Sequence, residues 1–365
     1  MKVGLLGPYP LTPGQPRGGV EAAMEILATE IVDRGVSVTV IDPFTGYSNS
    51  VDLPRGLEVQ RLPRLRPIWA GTTLIPPMVR RAIRDSQVDV LHAHLGMQYG
   101  QAHPVTVLTI HGFPHFESQL RHNVAAGYVR SRALRTVFRA GVQSASRVIA
   151  ISDEAAAAAT REGVTVVRIP NPIANEFFSV ERRPGNDFIS VGNLIPRKNQ
   201  LTLIRAFARY VQNGGDGDLL LVGGEVDGEY GVQCRREASQ CAERVHFLGA
   251  LARREVAQLL GSARVSVSAS RRETSSIALS ESFAANCPVV CLDAGTARQQ
   301  VLTDKFGIVL PLHSGVDDLA AALASCPASP TLAGSELRES VQDRRPRAVA
   351  LQTVQVYERA VASCT

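Results

Sequence analysis

Two glutamates eight positions apart, Glu273 and Glu281, are the side chains whose types and spacing best suit chemistry. The apolar run before Glu273 predicts a strand over 264–269. The polar residues after it predict a helix that begins near Ser275 or Ser276, because a serine hydroxyl accepts a hydrogen bond from a first-turn N–H group. Glu273 then lies at a strand's carboxyl end and Glu281 one to two turns into the helix. Carboxylates bind hydroxyls and helix N-termini bind phosphate, so the segment suits a hydroxyl-rich ligand that carries phosphate.

A surface helix with two solvated glutamates has the same spacing, so the neighbouring residues decide between the two interpretations. The run from Glu273 to Val290 resembles the nucleotide-sugar motif of the family-four retaining glycosyltransferases (glycosyltransferase group 1): a Glu, seven residues, a second Glu, a small-residue turn and Pro-Val-Val. The resemblance implies that Glu273 contacts the donor sugar and Glu281 the ribose. Ser275, Ser276 and Ile277, at the predicted helix start, are expected to bind the donor nucleotide.

The chain departs from this motif at two positions. Asn286 stands where the family usually has Gly, and Ala269 stands where it usually has Pro. Asparagine tolerates a left-handed backbone conformation better than most residues, so the turn at Asn286 is predicted to survive.

Length and composition limit the number of domains and the class of protein. A chain of 365 residues with 45% hydrophobic residues predicts two domains of ordinary size. The net charge of +5 and the lack of a dense basic block argue against nucleic-acid binding. No apolar run is long enough for a signal peptide or a membrane span, and the first residues are predicted to form a strand. The six cysteines lack metal or redox spacing, which predicts free thiols in a reducing cytoplasm.

A glycine pair, Gly18-Gly19, stands between the first predicted strand (2–6) and the helix that follows (20–34). Without side chains, these residues let a phosphate approach the N–H groups of the helix. The spacing is not that of a dinucleotide site, and a flexible loop explains it equally well. In the family, the glycine loop at this position meets the donor diphosphate.

Histidines follow two predicted strands at their carboxyl ends, with His92 and His94 after one and His111 and His115 after the next. A metal site is one interpretation, but no acidic or thiolate ligand accompanies them at ligand spacing, so we predict none. The resemblance gives His111 another role, near the donor sugar. An imidazole there can hydrogen-bond a sugar hydroxyl or the departing phosphate.

The loop after the first strand of the second half carries two cations, Arg197 and Lys198. Lys198 matches the family's lysine, whereas Asn193 stands where the family has an arginine that neutralises the diphosphate. Arg197 is expected to replace that arginine, since a guanidinium binds phosphate oxygens in pairs. Cations at a helix start are unfavourable unless an anion binds there, which argues against two merely solvated side chains.

Arginines are frequent in two stretches of the first half, 61–84 and 121–139. Such residues usually form a solvated face. They would also attract an anionic acceptor or anionic lipid headgroups, which predicts possible peripheral contact with the inner face of a membrane.

The resemblance implies an α/β protein of GT-B architecture, with two Rossmann-like domains facing a central cleft. The expected domains are an acceptor domain (1–180), a donor domain (186–345), and a C-terminal helix (346–365) that crosses back to the first domain. The expected activity is metal-independent, retaining hexosyl transfer from a UDP- or GDP-sugar to an acceptor hydroxyl, with no cofactor besides the donor. Two alternatives remain open. One is a non-catalytic nucleotide-sugar-binding partner subunit, suggested by Asn193, Asn286 and a Pro172 in place of a family glycine; the other is a GT-B nucleotide-sugar epimerase.

Overall fold

The computed structural model describes residues 1–46, 53–64, 74–113, 124–225, 228–326 and 335–364, with the side chains of 124–130 excepted. His115 and Arg121 from the predictions above lie outside this description. The chain divides into two compact units. Unit 1 comprises Met1–Pro172 and Pro346–Thr365, and unit 2 comprises Ile173–Arg345.

Unit 1 contains a seven-stranded sheet and unit 2 a six-stranded sheet, and every strand pair is parallel. The strands are rich in Val, Ile and Leu, as expected where helices cover both faces of a parallel sheet. In chain order they are β1 (Lys2–Leu6), β2 (Ser37–Asp42), β3 (Leu57–Arg61), β4 (Val90–Ala93), β5 (Thr106–Ile110), β6 (Arg147–Ala150), β7 (Val166–Arg168), β8 (Phe188–Val191), β9 (Leu219–Val222), β10 (Val245–Gly249), β11 (Val265–Ser268), β12 (Val289–Leu292) and β13 (Gly307–Leu310).

The α-helices within the described ranges connect these strands. In chain order they are α1 (Gly19–Val32), α2 (Pro77–Ser86), α3 (Val124–Ser144), α4 (Asp153–Thr160), α5 (Asn175–Ser179), α6 (Gln200–Gln212), α7 (Gly228–Ala238), α8 (Arg253–Ser262), α9 (Ile277–Ala284), α10 (Ala297–Gln300), α11 (Val316–Ser325), α12 (Glu336–Glu339) and α13 (Pro346–Ala362). None of the helices described here is both long and apolar enough to span a bilayer.

Both sheets reverse their strand order at one point. The order is β3-β2-β1-β4-β5-β6-β7 in unit 1 and β10-β9-β8-β11-β12-β13 in unit 2. The reversals therefore lie between β1 and β4 and between β8 and β11. Loops that leave the carboxyl ends of two such strands diverge, and the space between them is where open α/β sheets bind ligands.

The chain passes from unit 1 to unit 2 between Pro172 and Ile173. Helix α5 supplies two phenylalanines, Phe177 and Phe178, that are 1% and 5% exposed, and the N–H of Ile173 donates to the carbonyl of Arg344 at 2.8 Å within unit 2. Burial of these apolar rings fixes the segment on unit 2 although the sequence after it is polar.

The C-terminal helix α13 packs within unit 1, as predicted. Within this helix Leu351 is 51% exposed, whereas Val349 and Tyr357 are buried. Small and polar residues complete the buried face. That face comprises Pro346, Val349, Ala350, Thr353, Val356, Tyr357 and Ala360.

Candidate functional site

The reversal point of unit 2 brings together the two segments that the sequence marked separately. Strands β8 and β11 are hydrogen-bonded neighbours, with Val265 opposite Phe188. The loop after β8 carries Arg197 and Lys198, and the loop after β11 carries Glu273. The N–H of Arg271 donates to the carbonyl of Arg197 at 3.0 Å, which joins the two loops directly.

Glu273 forms an ion pair with each of the two cations. Lys198 Nζ lies 2.7 Å from Glu273 Oε1, and an Arg197 guanidinium nitrogen lies 3.1 Å from Oε2. The carboxylate is only 10% exposed. Burial alone would raise the pKa of Glu273, but Lys198 and Arg197 outweigh it, so its pKa lies below the usual range and the carboxylate is ionised.

The cations lie in a 3-10 turn, Pro196–Lys198, immediately before α6. Two cations at this position were expected to require a bound anion. An internal anion, Glu273, neutralises them instead. A ligand phosphate would therefore compete with Glu273 for Arg197 and Lys198 rather than meet uncompensated charge.

Asn193, which stands where the family has an arginine, forms hydrogen bonds within the protein. Its Oδ1 accepts a hydrogen bond from Gly224 N–H at 3.0 Å, which ties the loop after β8 to the loop after β9. Gln200 Nε2 donates to the Asn193 carbonyl at 2.8 Å, so both the side chain and the backbone of Asn193 are held.

Gly295, in the loop after β12, supports the backbone of Glu273 from the other side. It has a φ of +62°, and a β-carbon built there would lie 2.3 Å from the Glu273 carbonyl oxygen. Sequence reasoning did not predict this contact, because the close approach depends on the neighbouring position of β11 and β12.

Helix α9 begins where it was predicted. Ser276 is its N-cap and accepts a hydrogen bond from Leu279 N–H at 3.4 Å, and Ile277 is its first residue. The Ser275 hydroxyl is buried and has no hydrogen-bond partner among the described residues. At the other end Asn286 has a φ of 62°, so the predicted left-handed turn is confirmed.

Glu281 lies in the second turn of α9 and behaves differently from Glu273. Burial raises its pKa to about 7, although Arg253 and Lys198 oppose the shift. Arg253 was not identified from the sequence as a neighbour of Glu281. It begins α8 after a different strand, so only the fold reveals that its charge acts on Glu281.

In unit 1 the glycine pair lies at the start of α1, with Gly18 as N-cap and Gly19 as the first helical residue. Two carboxylates of the helix hold the preceding loop. Glu25 accepts from Gly14 N–H at 2.7 Å, and Glu21 accepts from Arg17 N–H at 2.8 Å. Sequence reasoning missed these contacts, although an acidic residue in a helix's first turn could have indicated the one made by Glu21.

Arg61, predicted as part of a basic surface, is instead structural. Its guanidinium lies 2.9 Å from the fully buried Asp42 and donates to the carbonyls of Tyr9 and Pro10 at 3.1 and 2.7 Å. An arginine that neutralises a buried carboxylate and binds two carbonyls has little capacity left for an anionic ligand. It holds the start of the glycine loop.

The histidines after β4 and β5 come together in the fold. His94 Nδ1 lies 2.9 Å from His111 Nε2, and His92 bonds to the hydroxyls of Tyr357 (2.7 Å) and Thr109 (2.6 Å). Burial is the main cause that lowers the pKa of all three, to about 3 for His92, to about 4 for His111 and well below the usual range for His94. The described residues contain no group of three or more His, Cys, Asp or Glu that could hold a metal ion.

A surface pocket of about 470 Å³ lies elsewhere on unit 2, between the end of α6 and α11. It borders the loop before β9, at the amino-terminal edge of the sheet, and so lies away from Glu273. Asp216 in this loop accepts hydrogen bonds from the Tyr210 hydroxyl and from Arg264, so the turn at Asp216-Gly217-Asp218 is structural.

Two family profiles match the chain. The profile described as Glycosyltransferase Family 4 matches residues 17–177, and the one described as Glycosyl transferases group 1 matches residues 173–344. No curated protein sequence matches significantly. Together the two profiles span both units almost completely.

Solved structures similar to the whole chain include three synthases and transferases. Sucrose-phosphate synthase from Thermosynechococcus elongatus is 21% identical over 100% of both chains, with a TM-score of 0.79. HepE from Anabaena, in complex with UDP and glucose, is 19% identical over 97% of this chain and 99% of its own, with a TM-score of 0.73. The α,α-trehalose-phosphate synthase (UDP-forming) from Burkholderia xenovorans is 12% identical over 97% and 99%, with a TM-score of 0.73.

At these identities the structures show the fold, which is GT-B, and the family profiles show the family. The segments they cover include the glycine loop, the loop with Lys198, and the glutamate pair. The chain therefore belongs to the group 1 glycosyltransferases, the nucleotide-sugar-dependent family whose motif the run from Glu273 to Val290 resembles.

Proposed function

We propose that the protein is a retaining glycosyltransferase that moves a hexose from a UDP- or GDP-sugar to an acceptor hydroxyl. The observation that carries this proposal is the cluster at the reversal point of unit 2, where Glu273 is held by Lys198 and Arg197 beside the start of α9. It offers two cations for a diphosphate and a carboxylate for sugar hydroxyls.

Donor binding would have to break the ion pairs of Glu273, because Lys198 and Arg197 are already neutralised by it. The diphosphate takes over Lys198 and Arg197, with the N–H groups of Ser275 to Ile277 as further donors. Glu273, released from its two ion pairs, accepts hydrogen bonds from the donor sugar. Glu281 accepts from the ribose.

The transfer breaks the bond between the anomeric carbon and the diphosphate oxygen and forms a bond from that carbon to the acceptor oxygen on the same face. The departing phosphate oxygen takes the acceptor's proton, so no carboxylate acts as nucleophile. Negative charge develops on the diphosphate, where Lys198, Arg197 and helix N–H groups stabilise it. This arrangement needs no metal ion or other cofactor, and His111 of unit 1 contributes a hydrogen bond to the sugar or phosphate.

The names of similar proteins support UDP as the nucleotide, since one structure holds UDP and glucose and another enzyme is described as UDP-forming. Other similar structures belong to lipopolysaccharide and avilamycin A biosynthesis. The proposed acceptor is accordingly a hydroxyl of a polysaccharide, a glycolipid or a glycosylated natural product.

We propose that the enzyme works in the cytoplasm, where its six unpaired cysteines remain reduced, and that unit 1 contacts an anionic membrane surface. Leu74 (63% exposed) lies just before α2, and the helix itself exposes Met78 (42%), Arg81 (77%) and Arg84 (75%). Exposed apolar side chains beside arginines suit an anionic bilayer surface.

Vesicle sedimentation tests this contact. Binding should be several-fold stronger to phosphatidylglycerol-containing vesicles than to neutral phosphatidylcholine vesicles and should weaken with salt. The double variant Leu74→Ser, Met78→Ser should lose it, while Leu351→Ser, which alters another exposed leucine of unit 1 (51%), should not. Equal binding to both kinds of vesicle would contradict the proposal.

A thermal-shift panel of UDP, GDP, ADP and dTDP in EDTA tests the donor site. One nucleotide should stabilise the wild type. Lys198→Met should weaken the binding of that nucleotide about 10- to 100-fold, because one charged hydrogen bond is lost. Arg205→Met is the matched control, because Arg205 is a cation of α6 that pairs with Glu237 on the surface.

Product analysis with the preferred nucleotide sugar separates the three candidate activities. With an acceptor panel, the wild type should release the nucleoside diphosphate and form an α-configured product from an α-configured donor. Glu273→Gln should keep the fold and nucleotide binding but lose transfer. Full activity of Glu273→Gln would contradict the assignment, a changed sugar without acceptor would identify an epimerase, and binding without turnover would identify a non-catalytic subunit.

A further inference from the structure

The carboxylate of Glu273 occupies the two cations that a ligand diphosphate would need. Its oxygens lie 2.7 Å from Lys198 Nζ and 3.1 Å from an Arg197 guanidinium nitrogen, and the side chain is 10% exposed. Every phosphate that takes these cations therefore separates a buried carboxylate from its counter-charges. The free-energy cost of that separation depends on what the carboxylate contacts afterwards.

Contacts other than Glu273 hold the two cations in place. The guanidinium nitrogen of Arg197 that faces Glu273 also donates to the carbonyl of Arg272 at 2.9 Å. The stem of Lys198 lies directly over Gly192, where an added β-carbon would be 3.2 Å from Lys198 Cε and 3.5 Å from Nζ. Hydrogen bonding and packing that do not involve the carboxylate thus keep both cations beside the loop after β8.

The backbone around Glu273 is fixed as well. Gly295 lies against the Glu273 carbonyl, and the N–H of Arg271 donates to the carbonyl of Arg197 at 3.0 Å. The side chain of Glu273 is then the part of the cluster that a ligand can displace.

Two ligands that share a diphosphate leave the displaced carboxylate in different surroundings. An intact nucleotide sugar brings hydroxyl groups that donate to the carboxylate, so its two ion pairs are exchanged for hydrogen bonds. A nucleoside diphosphate takes the same cations but offers the carboxylate no donor. A buried, ionised carboxylate without a partner is costly, because it has lost both its counter-charges and water.

We propose that Glu273 is a specificity-determining residue that selects the intact donor over the nucleoside diphosphate released by the reaction. It competes with either diphosphate for Lys198 and Arg197, and only the sugar of the donor compensates its displacement. Once the sugar has been transferred, Glu273 returns to the cations, which favours release of the product. This role rests on the proposed function, because it assumes that the ligand of the two cations is a diphosphate.

Inorganic pyrophosphate tests the competition without a nucleoside or a sugar. Glu273→Gln keeps the shape of the side chain but removes its charge, so Lys198 and Arg197 become available to an anion. Calorimetric titration should show pyrophosphate binding about 10- to 100-fold more tightly to this variant than to the wild type, the contribution of one charged hydrogen bond. Glu237→Gln is the matched control, because it removes the same charge from a surface ion pair of unit 2 and should leave pyrophosphate binding unchanged.

A nucleoside diphosphate and its sugar, titrated in parallel, test the selection. UDP and UDP-glucose are the probes, or GDP and GDP-mannose if GDP is the nucleotide that stabilises the wild type. Glu273→Gln should bind UDP at least about 10-fold more tightly than the wild type does. Its affinity for UDP-glucose should stay within a few-fold, because the variant loses the competition and the charged hydrogen bonds to the sugar together.

A double variant tests whether the gain depends on the cations. Lys198→Met combined with Glu273→Gln should lose the increase in UDP affinity, because the lysine that the glutamine variant makes available is absent. An increase that persists in the double variant would overturn the competition.

The other outcomes separate this proposal from the proposed function. In a folded Glu273→Gln, unchanged or weaker binding of UDP and pyrophosphate would overturn the competition, and an equal gain for UDP and UDP-glucose would overturn the selection. If Glu273→Gln fails to fold, Glu273→Asp, whose shorter side chain withdraws the carboxylate from the cations, should show the same changes to a smaller extent, and their absence would overturn the proposal. A wild type that binds UDP-glucose but transfers no sugar would instead contradict the proposed function and leave the binding comparison standing.

Discussion

Glu273 and Glu281 are identical residues eight positions apart, yet their surroundings drive their protonation in opposite directions. Two cations at 2.7 and 3.1 Å keep Glu273 ionised, whereas burial raises the pKa of Glu281 to about 7. A carboxylate that must bind hydroxyl groups can do so in either state but accepts most strongly when ionised. The second glutamate can therefore respond to pH in a range where the first cannot.

We expect donor affinity to depend on the ionisation of Glu281. If ribose hydroxyls bind its ionised form, the affinity for the preferred nucleotide sugar should rise as pH increases from 6 to 8, by up to about tenfold per unit below the pKa. Calorimetric titration at several pH values measures this. Glu281→Gln, which cannot ionise, should bind about 1.5–3 kcal/mol more weakly and with a flat profile. A wild-type affinity that is constant over this range would contradict the idea.

Among the elements, the loops after β8, β11 and β12 determine where Glu273 lies. Gly295 permits the closest of these approaches, because any β-carbon there would collide with the carbonyl of Glu273. The position of the carboxylate is thus set partly by a residue 22 positions later, on a neighbouring strand's loop.

The variant Gly295→Ala, compared with a control glycine, distinguishes the stability lost to backbone strain from the activity lost when Glu273 is displaced. Gly214→Ala is the matched control, since Gly214 also has a positive φ (+86°) but open space around it. Each variant should lose about 1–2 kcal/mol of stability to the left-handed conformation, and Gly295→Ala should lose more, because its β-carbon meets the Glu273 carbonyl. Only Gly295→Ala should also lose transfer, by roughly 100-fold. Urea unfolding and kcat measure the two effects, and equal activity of both variants would contradict the supporting role.

The positions of the strands and helices were largely predictable from the sequence, whereas the side-chain contacts between different elements were not. Strand and helix positions follow from apolar runs and caps, so Ser276 and the left-handed Asn286 lie as predicted. The pairing of Glu273 with Lys198 depends on β8 and β11 being neighbours, which local sequence does not encode. Arg61 was misassigned for the same reason: its partner Asp42 belongs to another strand, and only the sheet brings the two together.

At the scale of the whole molecule, the buried histidines His92, His94 and His111 should make the protein sensitive to acid. The pKa values of His92, His94 and His111 are lowered in the folded state, so the unfolded chain binds more protons below its ordinary pKa of 6.5. The stability that these neutral rings provide is fully present above pH 6.5. It is lost as pH falls toward 4, by up to about 1.4 kcal/mol per pH unit for each histidine.

Urea unfolding at pH 7.0, 6.0 and 5.0 measures this slope. His92→Asn removes one of the three titrating rings, so it should lower stability at pH 7 but reduce the acid slope by about a third. An unchanged slope in this variant would show that the acid sensitivity arises elsewhere.

The connection of α13 to unit 1 also determines the order in which the protein can be completed during synthesis. Unit 2 is a continuous segment, 173–345, whereas unit 1 is interrupted by it and resumes only at Pro346. A ribosome-bound chain can therefore finish unit 2 while unit 1 still lacks the helix that covers its core and bonds to His92. The unit whose strands are made first becomes complete last, so a nonsense mutation just before Pro346 would leave unit 2 whole and damage unit 1.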